Sequence, residues 1–326
     1  MLHPGGLGDL LLAVPAIQTL RERFPSHEFL LCGHLEAADL LQECGLVDRS
    51  LSFHSTACTV LFDGQKPNDP LLGDWLSRCD LAVAFIDDAS GAVAGGLRAS
   101  GAVTAVVRSP FSPSLTGTHQ ADRYAEIVGV QSLMVPQIAV PEALTAEARE
   151  YCSRGALAGR RPLAFVHPGS GSRHKCVKPT IMLQVLQGLE ALSLEPVLVE
   201  GPADRELMES LLRSVPGTPL VCRGLPLRLL AGLLSQAELF LGHDSGVTHL
   251  AALVGTPTVV LFGPTDPVRW APWSRRTTVV TGNPCGCRSW ENVMRCADKP
   301  CLDLMPSAIL DACRSVRDAA LNPRIC

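Results

Sequence analysis

The sequence predicts an α/β protein built from two doubly wound domains. Its 326 residues are about twice the length of a typical domain, and 47% of them are hydrophobic, which is enough for two separate cores. Short runs of leucine and β-branched residues alternate with segments of helical periodicity, and loops that contain glycine or proline separate them. This alternation is typical of repeated βα units on a parallel sheet. We expect an N-terminal domain over residues 1–150 and a C-terminal domain over residues 151–326.

In the first half, short apolar runs predict strands and apolar residues at helical spacing predict helices. The predicted strands are residues 28–32, 80–86 and 102–107, and the predicted helices are residues 9–24, 35–44 and 120–128. The boundary between the domains is expected between Pro141 and Pro162, where a helical stretch rich in alanine and glutamate covers residues 142–158.

The second half repeats the same alternation more regularly. Its predicted strands are residues 163–167, 196–200, 220–222, 239–242 and 258–262, and its predicted helices are residues 180–192, 203–214, 227–236 and 247–254. Strands of this kind, apolar throughout and followed by helices, are typical of parallel sheets covered on both faces.

Composition excludes several classes of protein. No uncharged apolar run reaches the length of about 18 residues that suggests a membrane-spanning helix, so we expect a soluble chain. Aromatic residues make up only 5%, and no basic stripe accompanies them, which argues against nucleic acid as a partner. Thirteen cysteines, mostly scattered singly, suit a reducing cytoplasm with buried thiols. Residues 1–150 carry 9 basic and 18 acidic side chains and the remainder 19 and 14, so the second half is the better host for an anion.

Five glycine-bearing segments share the composition of an anion-binding loop. They are residues 4–9, 167–172, 200–204, 242–246 and 262–266, and the last four follow predicted strands. Ligands of parallel sheets bind at the carboxyl ends of the strands, where glycine allows close approach and serine or threonine supplies hydroxyls. The spacing fits neither a Walker P-loop nor a dinucleotide fingerprint. The interpretation that remains is a site for a nucleotide diphosphate, bound by helix N-termini, hydroxyls and one ammonium group.

Two residues that follow these loops are candidates for binding such a nucleotide. Lys175, just after the loop at 167–172, either neutralises a phosphate or is a solvated surface lysine. Glu206 either accepts hydrogen bonds from ribose hydroxyls or is an exposed helix carboxylate.

The segment from Asp244 to His249 is the most specific local signal. Asp244 stands where a carboxylate would cap a helix, and Ser245 and Gly246 offer backbone N–H groups. His249 lies four residues after Ser245, on the same face of the helix, where it contacts a ligand or is a satisfied core residue.

Asp9 opens the first predicted helix, either as a base that takes a proton from a hydroxyl or as a simple N-cap.

No group of histidines and carboxylates has metal-ligand spacing, so no metal is required. Cys285, Cys287, Cys296 and Cys301 lack the paired Cys-x-x-Cys spacing of a zinc site, which favours buried thiols or an occasional disulfide.

Three segments together resemble glycosyltransferase family 9, the heptosyltransferases that build the lipopolysaccharide core, and the likeness covers nearly the whole chain. Residues 6–17 are similar to the family's opening Gly-Asp helix. Residues 167–171 with Lys175 are similar to its phosphate loop, and residues 244–252, continuing to 262–270, to its donor signature.

The resemblance implies a GT-B architecture, in which two Rossmann-like domains face each other across a cleft, with the acceptor on the first and the nucleotide sugar on the second. It implies inverting, metal-independent transfer of a heptose or related sugar from an ADP-sugar to a lipopolysaccharide-type glycan, with no cofactor. Asp9 would be the general base. The donor would be bound by Ser170, Gly171, Lys175, Glu206, Asp244, Ser245, Gly246 and His249.

The partners implied are a nucleotide-sugar donor and a glycolipid or oligosaccharide acceptor, at the cytoplasmic side of the inner membrane with peripheral contact to it. Two alternatives share the fold: a nucleotide-sugar epimerase, and a nucleotide-sugar-binding protein without catalysis. The family has a full strand before the segment that begins at Gly5, so we expect the start of this sequence to be truncated.

Overall fold

The computed structural model describes residues 1–111, 117–130, 133–154, 157, 162–287 and 289–321. The chain divides into two compact units, Met1–Pro136 and Gln137–Cys326. Each unit has parallel strands and helices, which confirms the predicted α/β class.

The first unit contains seven helices and four strands among its described residues. In chain order they are α1 (Leu7–Leu12), α2 (Val14–Arg23), β1 (Leu30–Gly33), α3 (Leu35–Glu43), β2 (Arg49–Ser52), α4 (Thr56–Thr59), α5 (Pro70–Ser77), β3 (Leu81–Ala84), α6 (Ala92–Ala99), β4 (Thr104–Val107) and α7 (Gln120–Ile127).

The sheet of the first unit consists of two parallel pairs, β1 with β2 and β3 with β4. Leu2 joins the two pairs, because it forms parallel bridges to Cys32 in β1 and to Ala84 in β3. Its N–H donates to the carbonyl of Val83, and the N–H of Phe85 donates to its carbonyl, at 2.8 and 3.0 Å. The segment that carries Asp9 therefore starts from the middle of this sheet.

The single helix predicted over residues 9–24 is wrong, because the structure has two helices that meet at Ala13. Pro15 lies in the first turn of α2, where its missing N–H is tolerated. In a continuous helix the proline would remove a hydrogen bond to Leu11 and clash with its carbonyl group. The chain therefore restarts its helix just before the proline.

The second unit begins with a helix and then alternates strands and helices. In chain order they are α8 (Glu142–Arg154), β5 (Leu163–His167), α9 (Pro179–Ala191), β6 (Glu195–Glu200), α10 (Arg205–Leu212), β7 (Leu220–Arg223), α11 (Leu227–Ser235), β8 (Leu239–His243), α12 (Gly246–Leu253), β9 (Thr258–Phe262), α13 (Pro267–Trp270), β10 (Thr277–Thr281), α14 (Trp290–Arg295) and α15 (Pro306–Leu321).

These strands form one parallel sheet in the order β10-β9-β8-β5-β6-β7. The chain moves outward from β5 through β6 to β7, then returns to the other side of β5 and continues through β8 and β9 to β10. This is the doubly wound order, and its reversal point lies between β5 and β8. Strands β8 and β9 are buried along their whole length, which explains why they appear in the sequence as continuous apolar runs.

The division between the units falls earlier than the predicted boundary at residue 150, because α8 packs on α11 of the second unit. A Cβ on Gly232 would lie 2.4 Å from the carbonyl oxygen of Leu144, so the two helices approach at the glycine. Arg228 also pairs with Glu147 at 2.6 Å. Residues 155–156 and 158–161, in the predicted boundary region, lie outside the described residues.

A cavity of about 420 Å³ lies in the first unit near the amino ends of β1 and β3, lined in part by Met1, Phe29, Trp75 and Arg78. Parallel sheets bind ligands at the opposite edge, so this cavity is not the candidate site. Among the described residues, no helix has the length and apolar character needed to cross a membrane.

Candidate functional site

The candidate site lies at the carboxyl edge of the six-stranded sheet, at the reversal point between β5 and β8. The two strands are neighbours, with His167 of β5 in register with Gly242 of β8. The loops that follow them run in opposite directions across the sheet, which leaves room for a ligand between them. They carry most of the residues predicted to bind the donor.

Asp244 is the centre of this site. Its Oδ2 accepts hydrogen bonds from the Nζ of Lys175 at 2.7 Å and from the Oγ1 of Thr265 at 2.8 Å. The Nε2 of His249 lies 4.0 Å from its other oxygen. The loops after β5, β8 and β9 therefore meet at one carboxylate, and Lys175 and His249 lie on either side of it.

Two predicted serines hold this arrangement together. The buried Ser170 donates its hydroxyl hydrogen to the carbonyl oxygen of Asp244 at 2.7 Å, which links the loop after β5 to the loop after β8. Ser245 is the N-cap of α12, and its side chain accepts from the N–H of Thr248. The expectation that Asp244 caps this helix is thus wrong, because the neighbouring serine does so and leaves the carboxylate for Lys175.

Residues that the sequence did not single out lie directly beneath the site. The Nε2 of His167 lies 2.8 Å from the Oδ2 of Asp204, and its Nδ1 lies 3.1 Å from the Oγ of Ser245. Both His167 and Asp204 are almost fully buried. Their signal was present in the sequence, since each stands in a glycine-bearing loop at the end of a strand.

The protonation of this layer follows from its surroundings. Burial alone would raise the pKa of Asp204, but the hydrogen bond and charge of His167, with N–H groups of Gly201 and Ser170, lower it below 3.8 overall. Burial lowers the pKa of the fully buried His243 to about 4. Its Nε2 accepts a hydrogen bond from the N–H of Val177 at 3.0 Å, as a neutral ring can.

A family model described as "Glycosyltransferase family 9 (heptosyltransferase)" matches residues 92–298, which is more than half of the chain. The chain belongs to glycosyltransferase family 9. The family predicted from the three sequence segments is therefore confirmed, and the protein is a glycosyltransferase.

Individual relatives of this glycosyltransferase are distant. "Lipopolysaccharide heptosyltransferase 3" of Escherichia coli K12 is 24% identical over 300 residues, covering 82% of this chain and 83% of that protein. A second Escherichia coli protein of the same name is 33% identical over 128 residues. That match covers only 33% of this chain and 36% of the relative.

The fold agrees with that of a solved structure, "Structure of E. coli ADP-heptose lps heptosyltransferase II". The TM-score is 0.76 at 18% sequence identity, and the alignment covers 98% of this chain and 99% of that one. At this identity the likeness shows the fold alone, and it confirms the predicted GT-B fold.

The other predicted site residues have varied surroundings. Gly171 is exposed and has open space where a Cβ would point, while Gly246 begins α12. Glu206 is exposed in the first turn of α10. Asp9 is half-buried in the first turn of α1, where Gly6 rather than Asp9 is the N-cap. A Cβ on Gly5 would lie 2.6 Å from the Cβ of Asp9, so this glycine makes room for the aspartate.

The four cysteines of the glycosyltransferase's last loop lie together, although their spacing did not suggest it. Cys285, Cys287, Cys296 and Cys301 all line one small pocket, together with His174 and Lys299. The hydrogen bond to the backbone of Cys287 is the main cause that lowers the pKa of Cys285. In the part of the chain that the structure describes, no group of three or more His, Cys, Asp or Glu has an arrangement that could hold a metal ion.

Proposed function

We propose that this glycosyltransferase moves a heptose or related sugar from an ADP-sugar to a lipopolysaccharide-type glycan, with inversion and without a metal ion. The observation that carries the proposal is the pair of Lys175 and Asp244, set between serine hydroxyls at the reversal point of the sheet. The names of its relatives, lipopolysaccharide heptosyltransferases, support the choice of sugar and acceptor.

The donor's diphosphate is bound by the loops after β5 and β8 and by the start of α12. Lys175 supplies positive charge, and the backbone N–H groups of Gly246 and Val247 at the start of α12 donate to the same anion. Asp244 holds the lysine in place before the donor arrives. These groups stabilise the charge that develops on the leaving diphosphate, the task that a metal ion performs in other transferases.

Inversion requires a single displacement at the anomeric carbon. Asp9 takes the proton from an acceptor hydroxyl, whose oxygen then forms the new bond to that carbon. The bond from the carbon to the diphosphate breaks, and its electron pair leaves with the phosphate oxygen. Asp9 is the only residue of the first unit to which we assign a chemical step.

The acceptor is a glycolipid or an oligosaccharide derived from one. We propose the location from this acceptor: the enzyme works in the cytoplasm and makes peripheral contact with the inner membrane, where such glycolipids are assembled.

The decisive experiment incubates the protein with ADP-, UDP- and GDP-linked sugars, with and without a truncated lipopolysaccharide acceptor, in the presence of EDTA. We expect a glycosylated acceptor with ADP-heptose, inverted anomeric configuration, and no loss of rate on chelation. A changed nucleotide sugar formed without acceptor would instead identify an epimerase. Loss of transfer in EDTA, restored by a divalent cation, would contradict the metal-free mechanism.

The variant Asp9→Asn separates chemistry from donor binding. It should bind ADP as the wild type does and lose transfer, because an amide cannot accept the acceptor's proton. Asp122→Asn is the matched control, since Asp122 is an exposed carboxylate in the first turn of α7 in the same unit. Full turnover in Asp9→Asn would remove this residue from the mechanism, and a chain that binds ADP without transfer in any variant would be a binding protein.

A further inference from the structure

Asp204 and His167 form a buried pair to which the mechanism above gives no role. They are 4% and 3% exposed, so neither reaches solvent or a ligand directly. Their contacts lead to the donor site in one direction: Asp204 binds the Nε2 of His167, and the Nδ1 of His167 binds the hydroxyl of Ser245. Ser245 is the residue that caps α12.

Two glycines leave the space that the carboxylate of Asp204 occupies. A Cβ on Gly169 would lie 1.9 Å from its Oδ1, and a Cβ on Gly201 would lie 2.7 Å from its Oδ2. The N–H of Gly201 donates to the same oxygen at 2.9 Å. Burying a carboxylate is costly unless it is paired and hydrogen-bonded, and here both conditions are met. The two glycines therefore hold the carboxylate of Asp204 in one position, and the carboxylate in turn orients the ring of His167.

Counting hydrogens limits the ways in which these groups can bond. Thr248 donates its hydroxyl hydrogen to the carbonyl of His243 at 2.5 Å, so its oxygen can only accept in the 3.1 Å contact with the Oγ of Ser245. Ser245 has one hydroxyl hydrogen, which it gives either to Thr248 or to the Nδ1 of His167. In both arrangements the Nε2 of His167 donates to Asp204, and its Nδ1 stays hydrogen-bonded to the hydroxyl of Ser245.

Both arrangements satisfy every group in the chain of contacts. The two ring nitrogens of His167 are hydrogen-bonded, one to Asp204 and one to Ser245. The oxygen of Ser245 accepts from the N–H of Thr248, which closes the first turn of α12, and the same hydroxyl is bonded to His167. The serine hydroxyl is fully occupied, so its effect on a ligand is exerted through the backbone N–H groups that it holds in place.

We propose that Asp204 and His167 are positioning residues, which act through the Ser245 hydroxyl to hold the start of α12 in the conformation that binds the donor's diphosphate. This inference rests on the proposed function, because it assigns the helix start to diphosphate binding. It extends the site to a second carboxylate, two residues before the predicted Glu206.

A double-mutant cycle tests the inference, with ADP as the probe and isothermal titration calorimetry as the measurement. Asp204→Asn and Ser245→Ala should each weaken ADP binding by about tenfold, the effect of one hydrogen bond to a charged group. If Asp204 acts through Ser245, the double variant binds ADP no more weakly than Ser245→Ala alone, within about twofold. A structural role independent of Ser245 would multiply the two losses to about a hundredfold and overturn the inference.

Three further variants complete the design. Glu209→Gln, an exposed carboxylate on α10, should leave ADP affinity unchanged. Ser245→Thr keeps the hydroxyl and should restore the sensitivity to Asp204→Asn. If Asp204→Asn does not fold, His167→Gln takes its place in the same cycle, with the same expected coupling to Ser245→Ala. Wild-type protein that binds none of ADP, UDP and GDP would overturn both proposals, whereas normal wild-type binding with additive losses would overturn this one alone.

Discussion

Replacing Lys175 with methionine removes a charge from the centre of the candidate site while it keeps most of the aliphatic stem. The lysine nitrogen lies 2.7 Å from the Oδ2 of Asp244, and the two side chains are 23% and 9% exposed. Breaking a fully buried pair costs about 3–5 kcal/mol, whereas an exposed pair is worth about 1 kcal/mol or less. Because the lysine is partly solvated, we expect a loss of about 1–2 kcal/mol in the free energy of unfolding. For a unit of this size that is about 2–8 °C in Tm.

Binding of the diphosphate should respond more strongly than stability. A hydrogen bond to a charged group contributes about 1.5–3 kcal/mol, which corresponds to an increase in the Kd for ADP of about 10- to 150-fold. Calorimetry with ADP at low and moderate salt measures this change. Lys178→Met is the matched control, because Lys178 is an exposed lysine just before α9. An affinity of Lys175→Met within about twofold of that of the control would refute the assignment of Lys175 to the phosphate.

The double variant Lys175→Met/Asp244→Asn tests the electrostatic part of this reasoning. The single change leaves the buried carboxylate of Asp244 without its cation, and the second change neutralises that carboxylate. The double variant should therefore melt at a higher temperature than Lys175→Met. A lower melting temperature would show that the pair is not the source of the lost stability.

Three other predictions concern the layer beneath the site and the cysteine loop. Gly169→Ala should lower Tm strongly, because the new Cβ would lie 1.9 Å from the Oδ1 of Asp204. Gly286→Ala, which has open space around its Cβ, should leave Tm unchanged. Equal melting curves for the two variants would contradict the role of Gly169 in making room for Asp204. Because the folded pKa of His243 is about 4, below its ordinary 6.5, unfolding free energy should fall as pH decreases from about 6.5 to about 4, and it should fall less in His243→Gln. Denaturant titrations across this range check the sign. Iodoacetamide should modify Cys285 with a pH midpoint below that of the same thiol in urea, measured by mass spectrometry, because hydrogen bonding lowers its pKa.

The central strands of the second unit were predictable because they are buried on both faces, whereas the edge strand β10, exposed or half-buried along its length, was missed. β5 and β9 have the predicted bounds, since continuous apolar runs between glycine-bearing loops leave little choice of register. In the first unit, β2 was missed because its residues are exposed or half-buried, so its sequence lacks an apolar run. α6 was missed as well, and it contains Gly95 and Gly96, which are poor helix formers. Tertiary packing determines whether such elements form, and a local sequence pattern carries no information about that packing.

The candidate site shows the same limit at the level of single side chains. The rule that ligands bind after the strands found Lys175 and the segment around Asp244, because loop position can be read along the chain. It favoured Glu206 over Asp204, whose role depends on glycines from two loops that meet only in the folded sheet. The proximity of Cys285 and Cys301 was not predicted, for the same reason. Position along a strand is local information, whereas the neighbours of a side chain are not.

The reversal of strand order between β5 and β8 also determines when during folding the groups around Asp244 can first come together. The groups that surround Asp244 come from segments that start near residue 170 and end near residue 265, so a nascent or truncated polypeptide that stops before β9 lacks Thr265. Under the proposed function, retention on an immobilised nucleotide column would therefore select molecules that have folded through β9. The same column would serve as a quality test for refolded or shortened versions of this enzyme.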